Sequence, residues 1–376
     1  MTTGVGGDVA VVGAGLIGLA TAFELAERGA VVRVYDRAEP GRAASWAGAG
    51  MLGPETEGIG DDALLELCAR SLAMYPEFVE RVKNAGAVDP KLHLNGIVHA
   101  AFTSERLSEL KALADRLGAR GVACEVLDRE QTLVLEPALS ASVAGALLIH
   151  GEGHVDNRRL GRALVSACAA RGVAIEHVAS LAVECDARRV LGIRSDRGFT
   201  PATAVINACG AWAARLAGVP DGCLPPVEPV KGEMLAIEAP VGFFRHATWV
   251  TDAYLVPRDD GRLLIGATSE RAGFEARATA AGIHRLLHAA LAGAPALADF
   301  TVSETWAGLR PGTPDGLPFI GPTPLEGLWV AAGHFRNGIL LTPVTARLIA
   351  DALEHGAVAA LEPFRMTRLE GEYLKS

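Results

Sequence analysis

Three glycines and one acid carry the first recognisable chemistry in this chain. Gly13, Gly15 and Gly18 follow the apolar, β-branched run Val9-Ala10-Val11-Val12, and Leu16, Leu19, Ala20, Phe23 and Ala26 then recur at three- and four-residue steps. The pattern predicts a buried strand, a tight turn and a helix. Gly13 allows the turn, Gly15 lets a pyrophosphate approach the backbone, and Gly18 lets helix and strand pack closely. The helix amino terminus then offers N–H groups and a positive dipole end to phosphates. A second strand, Val31-Val32-Arg33-Val34-Tyr35, ends in Asp36, eighteen residues after Gly18, where a ribose hydroxyl is expected. An acid at that place favours an unphosphorylated ribose over the 2′-phosphate of NADP and leaves NAD and FAD both open.

Other chemistry-bearing groups are weaker signals. His284 and His288 have the i, i+4 spacing of zinc ligands, but Arg285-Leu286-Leu287 between them lacks the glutamate of a metalloprotease helix. His150 and His154 have no nearby third ligand, so no metal is expected. Lys231 reads as a solvated strand-end lysine rather than a catalytic one. The six cysteines, at 68, 124, 168, 185, 209 and 223, form no C-x-x-C pair and predict reduced, mostly buried thiols.

The elements that must position these groups come next. The 376 residues suffice for two domains, with half the residues hydrophobic and 21% charged. A formal charge of −9 supplies no basic footprint for nucleic acid. No basic leader precedes the first strand and no apolar run reaches membrane-spanning length, which predicts a cytoplasmic protein. After Asp36, the run Gly41 to Leu52 is too rich in small residues for a packed helix and suits backbone lying against a flat ligand. Helices are predicted over 63–85, 104–120 with Ser104 as cap, 158–171 ending at Gly172, 276–291 and 342–355. Strands are predicted over 92–94, 96–98, 144–149, 173–176, 205–210, 232–238, 247–251, 253–257, 262–267, 300–305 and 328–332, with 190–194 a hairpin partner beyond Val178. The alternation predicts a nucleotide domain assembled from residues 1–84, 151–222 and 309–376, and a second domain from 85–150 and 223–308.

Five stretches together resemble one family. Gly13-Ala14-Gly15-Leu16-Ile17-Gly18, Ser45 to Leu52, Tyr254-Leu255-Val256-Pro257-Arg258, Thr305 to Pro311, and Gly333-His334-Phe335-Arg336-Asn337-Gly338-Ile339-Leu340-Leu341 are similar to the D-amino acid oxidase family of FAD-dependent oxidoreductases. The likeness spreads over essentially the whole chain. The last stretch and Ala49-Gly50-Met51-Leu52 are most like the branch that oxidises glycine for the thiazole of thiamine. The resemblance implies an α/β fold, with a Rossmann-type, glutathione-reductase-like FAD-binding domain and an α+β substrate domain on an antiparallel sheet. It makes FAD the cofactor and assigns Leu16, Ile17, Asp36, Arg37, Ala44, Ser45, Ala49, Gly50, Met51 and Val178 to its binding. The run His334, Phe335, Arg336, Asn337, Gly338, Ile339 and Leu340 would lie along the isoalloxazine. Covalent relatives use a cysteine near the carboxy terminus; none follows Cys223, so non-covalent FAD is expected.

The same resemblance makes Arg310 the carboxylate-binding arginine, with Arg336 beside it and Tyr254 donating its hydroxyl to the same carboxylate. A guanidinium suits that task, since its planar fork grips a carboxylate bidentately and stays charged when desolvated. The implied reaction is oxidative deamination of glycine and small amines or D-amino acids, such as sarcosine and D-alanine. Its products are a 2-oxo acid, ammonia and, with oxygen as acceptor, hydrogen peroxide. A dehydrogenase passing electrons to another acceptor is the alternative. No general base is expected. Ser269 stands where the family's glycine-oxidising members carry a methionine near the substrate, which predicts room for a larger amine. The expected partners are an amino acid and oxygen, with homotetramers known among relatives.

Overall fold

The apolar runs form two large sheets and two small ones, and each large sheet collects a different part of the chain. The computed structural model describes residues 7–57, 60–356 and 358–369. The first sheet has six strands in the order Phe319–Pro322, Leu328–Ala332, Ala204–Asn207, Asp8–Val12, Val31–Asp36 and Ala174–His177. All its pairings are parallel except the edge pair Phe319–Pro322 with Leu328–Ala332. Parallel strands need both faces covered. One face carries the helices Leu16–Glu27, Asp62–Gly86, Asn157–Ala170 and Thr342–His355, whose apolar residues share one core with the sheet. The other face is covered by a small antiparallel sheet of Leu181–Cys185, Val190–Ser195 and Gly198–Pro201.

The helix Leu16–Glu27 is buried continuously from Gly18 to Leu25 because it is sandwiched between the sheet and neighbouring helices. At its start, Gly13 has φ +108 and its hydrogen would be replaced by a Cβ running into the Ala208 carbonyl. A Cβ on Gly18 would strike the Gly13 carbonyl, so this glycine serves packing, as its spacing predicts.

The second sheet has eight strands in the order Val302–Gly312, Glu228–Glu238, Arg262–Gly266, Ala253–Pro257, Ala247–Val250, Ile97–Ala101, Gly145–Ile149 and Cys124–Asp128. Its pairings are antiparallel except Ala247–Val250 with Ile97–Ala101. The helix Ala280–Gly293 packs on it through Leu286, Ala289 and Ala290. A short sheet of Met51–Leu52, Gly153–Val155 and Leu92–His93 completes the described strands.

Several boundaries differ from the expected ones for local reasons. The helix Ser104–Ala119 is capped by Thr103, whose hydroxyl accepts the Arg106 N–H at 3.1 Å, so Ser104 is already helical. The helix expected from 276 starts at Ala280, where Thr279 supplies the cap to Gly282. Val190–Ser195 pairs with Leu181–Cys185, while Ala174–His177 joins the large parallel sheet instead. The strand expected to end at 305 continues to Gly312 because it pairs along the whole length of Glu228–Glu238, carrying Arg310 on the eight-stranded sheet.

Candidate active site

The glycine turn closes on the acid that follows it. The Ala14 N–H donates to Asp36 Oδ2 at 2.6 Å and the Ala38 N–H to Oδ1 at 2.8 Å, while the Leu16 N–H reaches Ser45 Oγ at 3.0 Å. Around them runs a cavity of about 640 Å³, within the range of small-molecule and cofactor pockets. Its lining includes Gly13, Gly15, Leu16, Ile17, Asp36, Arg37, Ala44, Ser45, Val178, His334, Phe335, Arg336, Gly338 and Ile339. The amino terminus of the helix Leu16–Glu27 opens into it, so the backbone is disposed to receive phosphates there. Gly48 lies against the Ile339 side chain, and a Cβ at 48 would collide with it. A cavity of this volume, lined by Gly13, Ala14, Gly15, Ala44 and Gly48, suits a cofactor-sized ligand.

A second cavity of about 80 Å³ adjoins the first; Ala44, Gly48, Leu309, Arg310, Arg336 and Ile339 line both. Ala49, Gly50, Met51, Tyr254, Asn337 and Leu340 line the small cavity and not the large one, and Gly18 lines neither. Arg310 comes from the strand Val302–Gly312 and donates through Nη1 to the Thr268 carbonyl at 3.0 Å. Tyr254 comes from Ala253–Pro257 and meets Trp249 edge-on at 5.2 Å. Burial pushes its phenol up, against the pull of Arg310, so the hydroxyl keeps its proton. Arg336 also lines this cavity, with 42% of its side chain exposed. Thus the sequence-predicted Arg310, Arg336 and Tyr254 converge on one small space.

The backbone of both cavities is held from behind. Ser71 donates to the Leu340 carbonyl at 2.6 Å and Tyr75 to that of Ile339, fixing the run ahead of the helix Thr342–His355. Asn157 takes the Ser45 carbonyl at 2.7 Å, Trp306 that of Ala47 at 2.9 Å, and Arg258 that of Ala49 at 2.6 Å. Arg258 also donates to Asn157 Oδ1 at 3.0 Å; burial lowers its pKa to about 10, which still leaves it charged at neutral pH. His334 is buried against the Thr345 hydroxyl at 3.1 Å, and burial drops its pKa to about 3, so it is a neutral fixture.

Three residues of the small cavity hold buried polar atoms without a hydrogen-bond partner: Glu57 Oε2, Trp249 Nε1 and Asn337 Oδ1. Buried polar atoms are normally paired, so these mark a place for a ligand. No motif or periodicity in the sequence singles out Glu57. Its carboxylate lies 3.7 Å from Arg336 Nη1, and burial raises its pKa while Arg336 and Arg310 pull it down.

Other sequence expectations resolve differently. Ser269 is exposed and does not line the small cavity; from its segment, the Thr268 carbonyl meets Arg310 and Ala267 packs toward Tyr254. Lys231 is buried, not solvated, because Glu233 at 2.7 Å and Glu270 at 2.9 Å neutralise it. His284 and His288 stack on an exposed helix face at 6.2 Å, and His154 is buried beside Arg258 at 3.2 Å. Among the described residues no group of three or more His, Cys, Asp or Glu is placed to hold a metal, and no helix is long and apolar enough to cross a membrane.

Known proteins resemble this chain along nearly its whole length. Residues 8–352 match the DAO family, described as FAD dependent oxidoreductase. The glycine oxidase of Geobacillus kaustophilus (strain HTA426) is 38% identical over 378 residues, covering 97% of this chain and 98% of that protein. Its crystal structure superposes with a TM-score of 0.90 over 96% of this chain and 98% of that one. The bifunctional protein ThiO/ThiG of Synechocystis sp. (strain ATCC 27184 / PCC 6803 / Kazusa) is 37% identical over 94% of this chain, which spans 52% of that longer protein. With a cavity of about 640 Å³ opening at the glycine turn, the chain belongs to the DAO family of FAD dependent oxidoreductases, and FAD is its cofactor.

Proposed function

We propose that this chain oxidises glycine, together with small amines and D-amino acids such as sarcosine and D-alanine. The observation that carries the reading is the border between the two cavities, where Arg310 and Arg336 face both the dinucleotide slot and a space of about 80 Å³. So small a space suits a small amine-bearing acid better than one with a bulky side chain. The six-stranded sheet then belongs to the cofactor domain and the eight-stranded sheet to the substrate domain.

In this reading Arg310 and the Tyr254 hydroxyl grip the substrate carboxylate and turn Cα toward the larger cavity. The charge-assisted pair also offsets the loss of water around the carboxylate. Trp249, Met234 and Leu340 wall the space with apolar surface, which keeps the substrate in one orientation. Leu16, Ile17, Asp36, Arg37, Ala44, Ser45 and Val178 would hold the adenine, ribose and pyrophosphate side of FAD, and Ala49 to Met51 with His334 to Leu340 its ring side. The chemistry a bound FAD would supply is two-electron acceptance from the substrate Cα–H, with oxygen as the terminal acceptor and hydrogen peroxide as its product. Water then hydrolyses the imine to a 2-oxo acid and ammonia. We read the glycine imine as the product a thiazole-forming step of thiamine synthesis consumes; the ThiO/ThiG likeness supports this.

An anaerobic screen with glycine, sarcosine, D-alanine and L-alanine tests the reading. Glycine and sarcosine are expected to bleach the flavin, and air to restore it with peroxide release. Bleaching without peroxide would make the chain a dehydrogenase; no bleaching by any of the four would refute the substrate class.

A further inference from the structure

The small cavity has cations for a carboxylate, and a single carboxylate of its own. Among the described residues lining it, Glu57 is the only acid. Its side chain is 13% exposed, and Oε2 lacks a hydrogen-bond partner despite lying 3.7 Å from Arg336 Nη1. The charged and titratable groups facing it are Arg336, Arg310, Tyr254 and Cys68.

Its place is built rather than incidental. The preceding residues are tied to buried Glu152, whose Oε1 accepts the Glu55 N–H at 2.6 Å and the Thr56 N–H at 3.3 Å. Glu152 Oε2 accepts the Thr56 hydroxyl at 2.5 Å, and His99 Nε2 lies 3.0 Å from the same hydroxyl. Arg120 pairs with Glu55 at 2.8 Å, holding that side chain away from the cavity. The loop is thereby anchored one residue before Glu57.

An α-amino acid arrives with its nitrogen as an ammonium, which has no lone pair to form the C=N bond as hydride leaves Cα. One proton must go first. Resting on the amino acid reading above, we propose that Glu57 is the amine-end residue of the site: it pairs with the substrate ammonium and accepts its extra proton. One N–H bond breaks, one O–H bond forms on the carboxylate, and nitrogen keeps the electron pair that becomes the imine bond. The proton returns to water after the product leaves. A carboxylate made more basic by burial is better matched to that transfer.

The competing role is a brace for Arg336. Stopped-flow flavin reduction by glycine, followed against pH in wild type and Glu57→Gln, separates the two. The proposal predicts that E57Q is slower by about 10²-fold at neutral pH. The deficit shrinks by about tenfold per pH unit as the free-amine fraction of glycine grows. In Glu57→Ala, added formate restores reduction, which keeps the test readable if the Gln variant loses flavin. Acetate has the carboxylate and no ammonium, and its binding, read from the flavin spectrum, is expected to be as tight in E57Q as in wild type. A pH profile in E57Q parallel to wild type, or acetate binding weakened tenfold or more, overturns the proposal. Failure of wild type itself to be reduced by any small amine would instead remove the amino acid reading on which this rests.

Discussion

The Arg310 guanidinium lies against Gly232 so closely that a Cβ at 232 would fall on its terminal nitrogens. The two residues sit on paired strands, Glu228–Glu238 and Val302–Gly312, and the missing side chain gives the arginine its seat. Gly232→Ala is therefore expected to displace Arg310 and raise KM for glycine by about tenfold, the loss of part of a charge-assisted interaction. Flavin content, read from the visible spectrum, should not change. An unaltered KM would show that the carboxylate binds elsewhere.

Arg258 is expected to matter through the backbone it holds. Arg258→Met leaves the Ala49 carbonyl and Asn157 Oδ1 without their donor inside the protein. Losing hydrogen bonds from a buried cation costs about 3 kcal/mol. Thermal melts should show a lower Tm, and equilibrium dialysis weaker FAD binding, since Ala49 and Gly50 line the small cavity beside the slot.

Acid should destabilise the fold through buried imidazoles. Burial lowers the pKa of His99 to about 4 and of His334 to about 3, and places His154 well below the ordinary value. Between the ordinary histidine value and these, the unfolded chain binds more protons than the folded one. Stability is therefore full above about pH 6.5 and is lost as pH falls. Glu152, raised to about 7 by burial, works the other way, losing stability as pH rises toward that value. The imidazoles outnumber it, so Tm falls on acidification. Each imidazole contributes up to about 1.4 kcal/mol per pH unit. His99→Phe should flatten the acid limb by one proton's worth, measured as Tm against pH; an unchanged slope would show that His99 is protonated in the folded state.

Thr56 links the Glu152 anchor to the cavity. Thr56→Val removes the hydroxyl shared by Glu152 and His99 and is expected to lower kcat/KM for glycine several-fold, with FAD content unchanged. Equal kcat/KM would show that the loop holds its position without this hydroxyl.

Much of this architecture was legible in the chain itself, because its signals are local. Gly13, Gly18 and Asp36 act within one strand-turn-helix-strand unit, and the strands Ala253–Pro257 and Leu328–Ala332 and the helix Thr342–His355 run between the expected residues. Glu57 was not legible. It follows Gly53-Pro54-Glu55-Thr56, a stretch with no periodicity, and its position depends on Glu152 ninety-odd residues away. Lys231 likewise looked like a surface residue until Glu233 and Glu270 were placed around it. The resemblance sets Ser269 near the substrate, whereas the segment after the strand Arg262–Gly266 gives the Thr268 carbonyl to Arg310 and leaves the serine exposed.

The most direct measurement is anaerobic flavin bleaching by glycine in wild type and Arg310→Ala. The account predicts that both proteins hold FAD, that glycine bleaches the wild type, and that the variant needs about 100-fold more glycine for half-reduction, the loss of a bidentate charged pair. Half-reduction at the same glycine concentration in both proteins would contradict it.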